Sequence, residues 1–154
     1  MAPQEQLYHL GVKAIIQNAQ GQVLMLKRAG GAFWDLPGGR VQIDENLPDT
    51  LIREVKEETG IIDLQHIQSV GDLVVTPIAI PITIGNITIA AKLLLRYYTC
   101  FVAHPHITLS DEHSEFLWVD WHIAQTHIRF IDQLSNVHFH INPNRFSEIE
   151  RTML

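Results

Sequence analysis

Cysteine is nearly absent from the 154-residue sequence: Cys100 is the one thiol, so no intramolecular disulfide can form. It lies in the apolar run Leu93 to Val102, where it reads as a small core residue, and a reducing, cytoplasmic setting fits it best. Positive charge is scarce as well. The 11 Lys and Arg face 17 Asp and Glu, and a formal net charge of −6 argues against a protein held to a nucleic-acid polymer by bulk electrostatics. A small polyanion bound through a metal remains compatible with that balance. Unbroken apolar runs are also missing. The longest stretch, Val74 to Leu95, is interrupted by Thr76, Pro77, Pro81, Gly85, Asn86 and Lys92, and the N-terminus has no basic segment leading into an apolar one, so neither a membrane span nor a signal peptide is expected. No internal repeat, low-complexity tract or linker divides the chain. With 46% hydrophobic residues, the expectation is one domain over residues 1–154.

The apolar runs Val12 to Ile16 and Val23 to Leu26 flank Asn18-Ala19-Gln20-Gly21 and predict a hairpin. The glycine-rich segment Ala29 to Gly39 predicts a loop. Leu51, Ile52, Val55 and Thr59 recur at helical spacing, with Gly60 as a stop, and predict one amphipathic helix within Asn46 to Thr59. Pro48, Asp49 and Thr50 favour a late start for it. Strands are expected at Ile67 to Val75, at Ile78 to Ala91 with a turn at Gly85-Asn86, at Leu93 to Ala103 and at Glu115 to Trp121. Pro77 and Pro81 confine part of this to an edge or bulge. A second helix is expected over Ile123 to Leu134, whereas the segment from His138 has no clear reading. The order of elements gives an α+β domain with a mixed sheet.

The chemistry concentrates between Gly39 and Ile61. At about 100° per residue, Glu54, Glu57 and Glu58 fall on one helical face, while Leu51, Val55 and Thr59 take the opposite, core-facing side. Crowded carboxylates need a cation, and all-oxygen ligands suit Mg²⁺ or Mn²⁺, which take phosphate oxygens as remaining ligands. Glu45 is within reach of the same patch, Arg53 can fix a carboxylate rotamer, and Gly38 and Gly39 let backbone approach closely. This stretch resembles the Nudix box: Gly39, five residues, Glu45, seven residues, then Arg53-Glu54-Val55-Lys56-Glu57-Glu58-Thr59-Gly60-Ile61, with every defined position filled. Trp34 to Gly39 resembles the loop that precedes the box, and Glu115 to Val119 a downstream strand of the family.

The resemblance implies a Nudix fold, an α/β/α sandwich around a mixed sheet with the box as loop-helix-loop. It also implies hydrolysis of a nucleoside diphosphate linked to another moiety. Glu54, Glu57 and Glu58, with Gly39, would hold the divalent metals, Arg53 would orient a glutamate, and Glu45 would support them. The candidate general bases are Glu57, Glu112, His113 and Glu115. Gly38 and Arg28 are candidate substrate contacts, as are Trp34 and Phe33 by stacking on a base, although Trp34 equally fits a core position. Lys27 reads as a solvated strand end. The pairs His104/His106 and His138/His140 have strand-like spacing and read as surface histidines. At least one of Trp118 and Trp121 reads as core.

Three substrate classes compete. A compact chain resembles the members that cleave nucleoside triphosphates, normal or oxidised, and this reading is favoured. Pro77, sixteen residues after Ile61, resembles a marker of ADP-ribose-cleaving members, and the loop Leu109 to His113 resembles GDP-mannose mannosyl hydrolases, in which His113 would be the base. A nucleotide-sensing module without catalysis is disfavoured by the intact carboxylates, and RNA processing by the acidic balance. The segment Val74 to Leu95 is a candidate homodimer interface.

Overall fold

A computed structural model describes residues 4–134 and 137–140. Its central pairing is parallel: β1 (Tyr8–Gln17) runs alongside β7 (Ile87–Phe101) from Tyr8 opposite Lys92 to Gln17 opposite Phe101. The chain leaves β1 through a turn in which Asn18 Oδ1 accepts from the amides of Gln20 and Gln22, and it returns as β2 (Val23–Arg28). The hairpin is therefore as expected. Yet β2 meets β1 only at Gln17 opposite Val23 and then diverges, pairing with β8 (His113–Val119). The edge of β1 that β2 vacates is taken by β4 (Gly38–Arg40), antiparallel to Gly11–Lys13. This forked edge opens the site.

Alternation along the strands divides two apolar layers. Val12, Ala14, Ile16, Tyr98 and Cys100 face one layer, completed by Leu51 and Val55 of α1 (Leu47–Thr59). Ile15, Leu95 and Tyr97 face the other, completed by Ala124 and Ile128 at α2 (Trp121–His127). A mixed sheet thus lies between helices, as an α+β reading requires. Cys100 is a buried free thiol. Trp118 packs partly buried against the first layer and Trp121 against the second.

Several expectations change. The glycine-rich loop contains β3 (Trp34–Asp35), paired with β2, as well as β4, because short ladders follow tertiary proximity and leave no periodic trace. Helix α1 does not start late: Asn46 caps it by accepting from the Asp49 amide, Pro48 sits in the first turn where no N–H partner is lost, and Thr50 is buried. The strands foreseen on either side of Lys92 are one strand of 15 residues, because Lys92 stays in register with Tyr8 and donates to the Leu7 carbonyl. Its first half forms an arm with β6 (Ile80–Ile84), which pairs with β7 alone and so accommodates Pro81 at an edge. Strand β5 (Gln65–Val75) covers the far side of β7. Helix α2 ends at His127, Phe130 takes φ 67°, and only a 3₁₀ turn at Ile131–Gln133 follows. His104, His106, His138 and His140 lie outside strands, and residues 141–154 lie outside the described residues.

Asn46→Ala removes the acceptor for the Asp49 amide, and a chemical denaturation curve should show a loss of about 1 kcal/mol with unchanged slope.

Candidate active site

Close approach sets the geometry. Helix α1 lies so close over β4 that a Cβ on Gly39 would run into the Glu54 carboxyl group, and a Cβ on Gly38 would strike the Val12 carbonyl oxygen of β1. Gly38 faces backbone and admits no side chain, whereas a side chain at Gly39 would displace the Glu54 carboxylate. The Gly38 amide donates to Glu58 Oε2 at 3.0 Å, fixing that carboxylate at the floor of the site.

Arg53 holds the others. Its Nε and Nη2 donate to both oxygens of Glu45 at 2.6 and 2.9 Å, Nη1 donates to Glu54 Oε1 at 2.9 Å and Glu57 Oε2 at 3.2 Å, and Nη2 also reaches the Arg40 carbonyl at 3.1 Å. The Arg53 hydrogen bonds drive the Glu45 carboxyl down to about 2. Glu45 also accepts from the Gln42 amide and the Thr50 hydroxyl, so it ties the box loop to the helix. Burial acts the opposite way on the floor. Glu58 is raised to about 8, chiefly by desolvation and further by Glu54 and Glu112, against the Gly38 amide and Lys13. Desolvation raises Glu54 too.

The loop before β8 closes the far side. The Thr108 and Ser110 amides donate to the Thr59 and Glu58 carbonyls, stapling it to the end of α1, and the Ala29 amide donates to the Glu112 carbonyl. This brings Glu112 and His113 opposite Glu58, with one ligand atom of each within 4.8 Å of the others. Burial lowers the His113 imidazole below its usual range. Lys13, paired to Asp35 at 2.6 Å, stands beside them.

Together these residues border a cleft of ≈ 920 Å³, large enough for a nucleotide. Of the residues singled out in the sequence, Gly38, Gly39, Arg53, Glu54, Glu57, Glu58, Glu112, His113 and Arg28 line it. The others are elsewhere. Glu45 sits behind Arg53; Glu115, on β8, pairs with Lys27 at 3.0 Å; Trp34 packs against the second apolar layer; Phe33 is exposed, with the Arg129 guanidinium 4.8 Å above its ring. Sequence reasoning missed Lys13, Asp35, Ser110, Asp111 and a wall made by Ile80, Pro81, Ile82 and Thr83 of β6 with Leu93 of β7. Lys13 did leave a signal, being the one charge inside the strand run Val12 to Ile16. The wall left none, because it depends on how the arm folds across the cleft.

The donor set fits a divalent cation. Burial disfavours the charged forms of Glu54 and Glu58, and Glu112 stands within reach of Glu58, an arrangement that a hard cation relieves. Gly39 leaves the space beside it that the Glu54 carboxylate occupies.

The sequence matches the model of the NUDIX domain over residues 7–137. The chain belongs to the NUDIX family. Among its NUDIX relatives, an RNA pyrophosphohydrolase of Acinetobacter baylyi is 30% identical over 123 residues, 71% of this chain and 72% of that protein. A Bacillus subtilis protein named for 8-oxo-dGTP diphosphatase activity is 43% identical over 54 residues, 35% of this chain and only 36% of that protein. A solved structure of a MutT protein from Methanosarcina mazei Go1 superposes with a TM-score of 0.61 at 25% identity, covering 98% of this chain and 99% of that one. The mixed sheet between two helices is thus the NUDIX fold.

Two outcomes are expected of this NUDIX site. Because the folded pKa of Glu58 lies above the ordinary 4.5, its contribution is fully present at low pH and is lost as pH rises from about 4.5 through about 8. Without divalent cations, Glu58→Gln should therefore raise the melting temperature at pH 8 and leave it nearly unchanged at pH 4.5, a difference on the order of a few kcal/mol. Gly39→Ala should displace Glu54 and weaken divalent-cation binding at least tenfold in calorimetric titration.

Proposed function

We propose that the protein is a divalent-metal-dependent pyrophosphohydrolase acting on a nucleoside diphosphate linked to another moiety. A nucleoside triphosphate, normal or oxidised, is the leading substrate, released as nucleoside monophosphate and pyrophosphate. The observation that carries this reading is the convergence of Glu54, Glu57, Glu58 and Glu112 at one end of a cleft that also presents Lys13, Arg28 and Arg40. Carboxylates alone would repel a polyphosphate. Paired with a cation and flanking basic side chains, they bind one.

Glu54 and Glu58, with Glu112, would hold Mg²⁺ or Mn²⁺, which when bound would neutralise anhydride oxygens and lower the pKa of a water molecule. The chain supplies the rest. Arg53 holds Glu54 and Glu57 in one orientation, so their reorganisation during the reaction is small. Lys13 and Arg28 offer positive charge to the phosphates from β1 and β2. A water oxygen attacks phosphorus, the bridging P–O bond breaks, and the bridging oxygen leaves with its electron pair on the departing phosphate. The water proton passes to a carboxylate. Glu57 is the best placed, because Arg53 engages only its Oε2 and its side chain remains 58% exposed at the cleft. Glu115 lies outside the cleft and is set aside as a base.

The A. baylyi relative acts on RNA, but the net charge of −6 favours a small nucleotide here.

Incubation with Mg²⁺ and a panel of nucleoside triphosphates, oxidised nucleotides, ADP-ribose, nucleotide sugars and dinucleoside polyphosphates should release a nucleoside monophosphate from at least one. Glu58→Gln should lower kcat by orders of magnitude with an unchanged far-ultraviolet spectrum. Free sugar with nucleoside diphosphate would instead favour the mannosyl-hydrolase reading with His113 as base. No turnover together with nucleotide-induced thermal stabilisation would indicate a sensor.

A further inference from the structure

The three groups facing one another across the cleft floor are not all oxygen donors. Glu58, Glu112 and a ring nitrogen of His113 lie within 4.8 Å of one another, and they come from two separate elements held in place by the hydrogen bonds of Thr108 and Ser110 to the end of α1. A cation bonded at about 2.0–2.6 Å to each ligand closes that span with small side-chain shifts. His113 Nδ1 is shut off from solvent and has no hydrogen-bond partner among the described residues. A buried ring nitrogen without a partner is uncommon and costly. Its backbone amide is already committed to the Ser110 carbonyl, so the turn that buries it is fixed.

We infer that His113 is a nitrogen ligand to the divalent cation held by Glu58 and Glu112, and that this makes the centre selective for Mn²⁺-class transition ions over Mg²⁺. The inference deepens the proposed hydrolase reading and rests on the same cleft. Its chemistry is simple. Mg²⁺ holds tightly to oxygen ligands and gains little from imidazole, whereas Mn²⁺ and the later divalent ions accept nitrogen readily. Mg²⁺ binding then depends on the carboxylates, and Mn²⁺ binding on the carboxylates and His113 together. His113 as a ligand is also unavailable as a general base, which leaves the proton to Glu57.

The test uses the full chain with Mn²⁺ alone and no nucleotide. Pulsed electron paramagnetic resonance of the wild-type protein should show hyperfine coupling from a directly bound imidazole nitrogen, and His113→Gln should abolish it. In calorimetric titration the same variant should lose about tenfold or more in Mn²⁺ affinity and less than about threefold in Mg²⁺ affinity. Glu112→Gln should keep the nitrogen coupling while weakening both ions, and the retained Mg²⁺ affinity of His113→Gln guards against a folding defect in that variant. Absence of nitrogen coupling in the wild type, its survival in His113→Gln, or equal loss of both ions would overturn the inference. Failure of the hydrolase reading has a different signature: nitrogen coupling present, and no Mn²⁺- or Mg²⁺-dependent turnover of any nucleotide.

Discussion

Helix α1 presents its carboxylates to a strand that has no side chains where the two elements meet. Gly38 and Gly39 let Glu54 and Glu58 lie against the backbone of β4, and β4 in turn exists because β2 swings away from β1 and frees its edge. The position of the acidic groups thus follows from a choice of sheet topology. A side chain at Gly39 would displace the Glu54 carboxylate and disturb the ion pairs of Arg53, while the loop carrying Glu112 and His113 stays stapled to the end of the same helix.

Charge is distributed with the same economy. Arg53 supplies one cation to three carboxylates and a carbonyl, and Glu45 takes two of its bonds, including the shortest. What is left over is a deficit of positive charge near Glu58 and Glu112. Burial of Glu54 and Glu58 is therefore electrostatically costly, and any cation bound there would stabilise the fold. Stability and function pull in opposite directions at Glu58, and the surrounding apolar layers carry the difference.

The acidic face of α1 was legible because its residues are contiguous and helical geometry alone brings them together, so spacing is sufficient evidence. The same holds for the β1–β2 turn, fixed by Asn18. Legibility ended where partners come from distant segments. Lys13 takes its meaning from Asp35 and Glu58, and the Ile80–Thr83 wall from an arm that reaches the cleft only once β7 is laid beside β1. Phe33 and Trp34 stayed ambiguous because aromatic residues beside a glycine-rich loop suit either a base or the core; Trp34 packs against the core, and Phe33 is exposed beneath the Arg129 guanidinium. The late start expected of α1 overlooked Asn46 as a cap.

Strand β7 is one uninterrupted strand serving two purposes. From Lys92 to Phe101 it is the parallel neighbour of β1 in the middle of the sheet, and from Ile87 to Ala91 it is half of a two-stranded arm whose other half contributes to the cleft wall. The arm's turn at Gly85-Asn86 lies beyond the residues that line the cleft, whose wall comes from Ile80 to Thr83. One end of the strand thus secures the sheet while the other helps to shape the cleft, so the cleft wall and the middle of the fold share a single backbone.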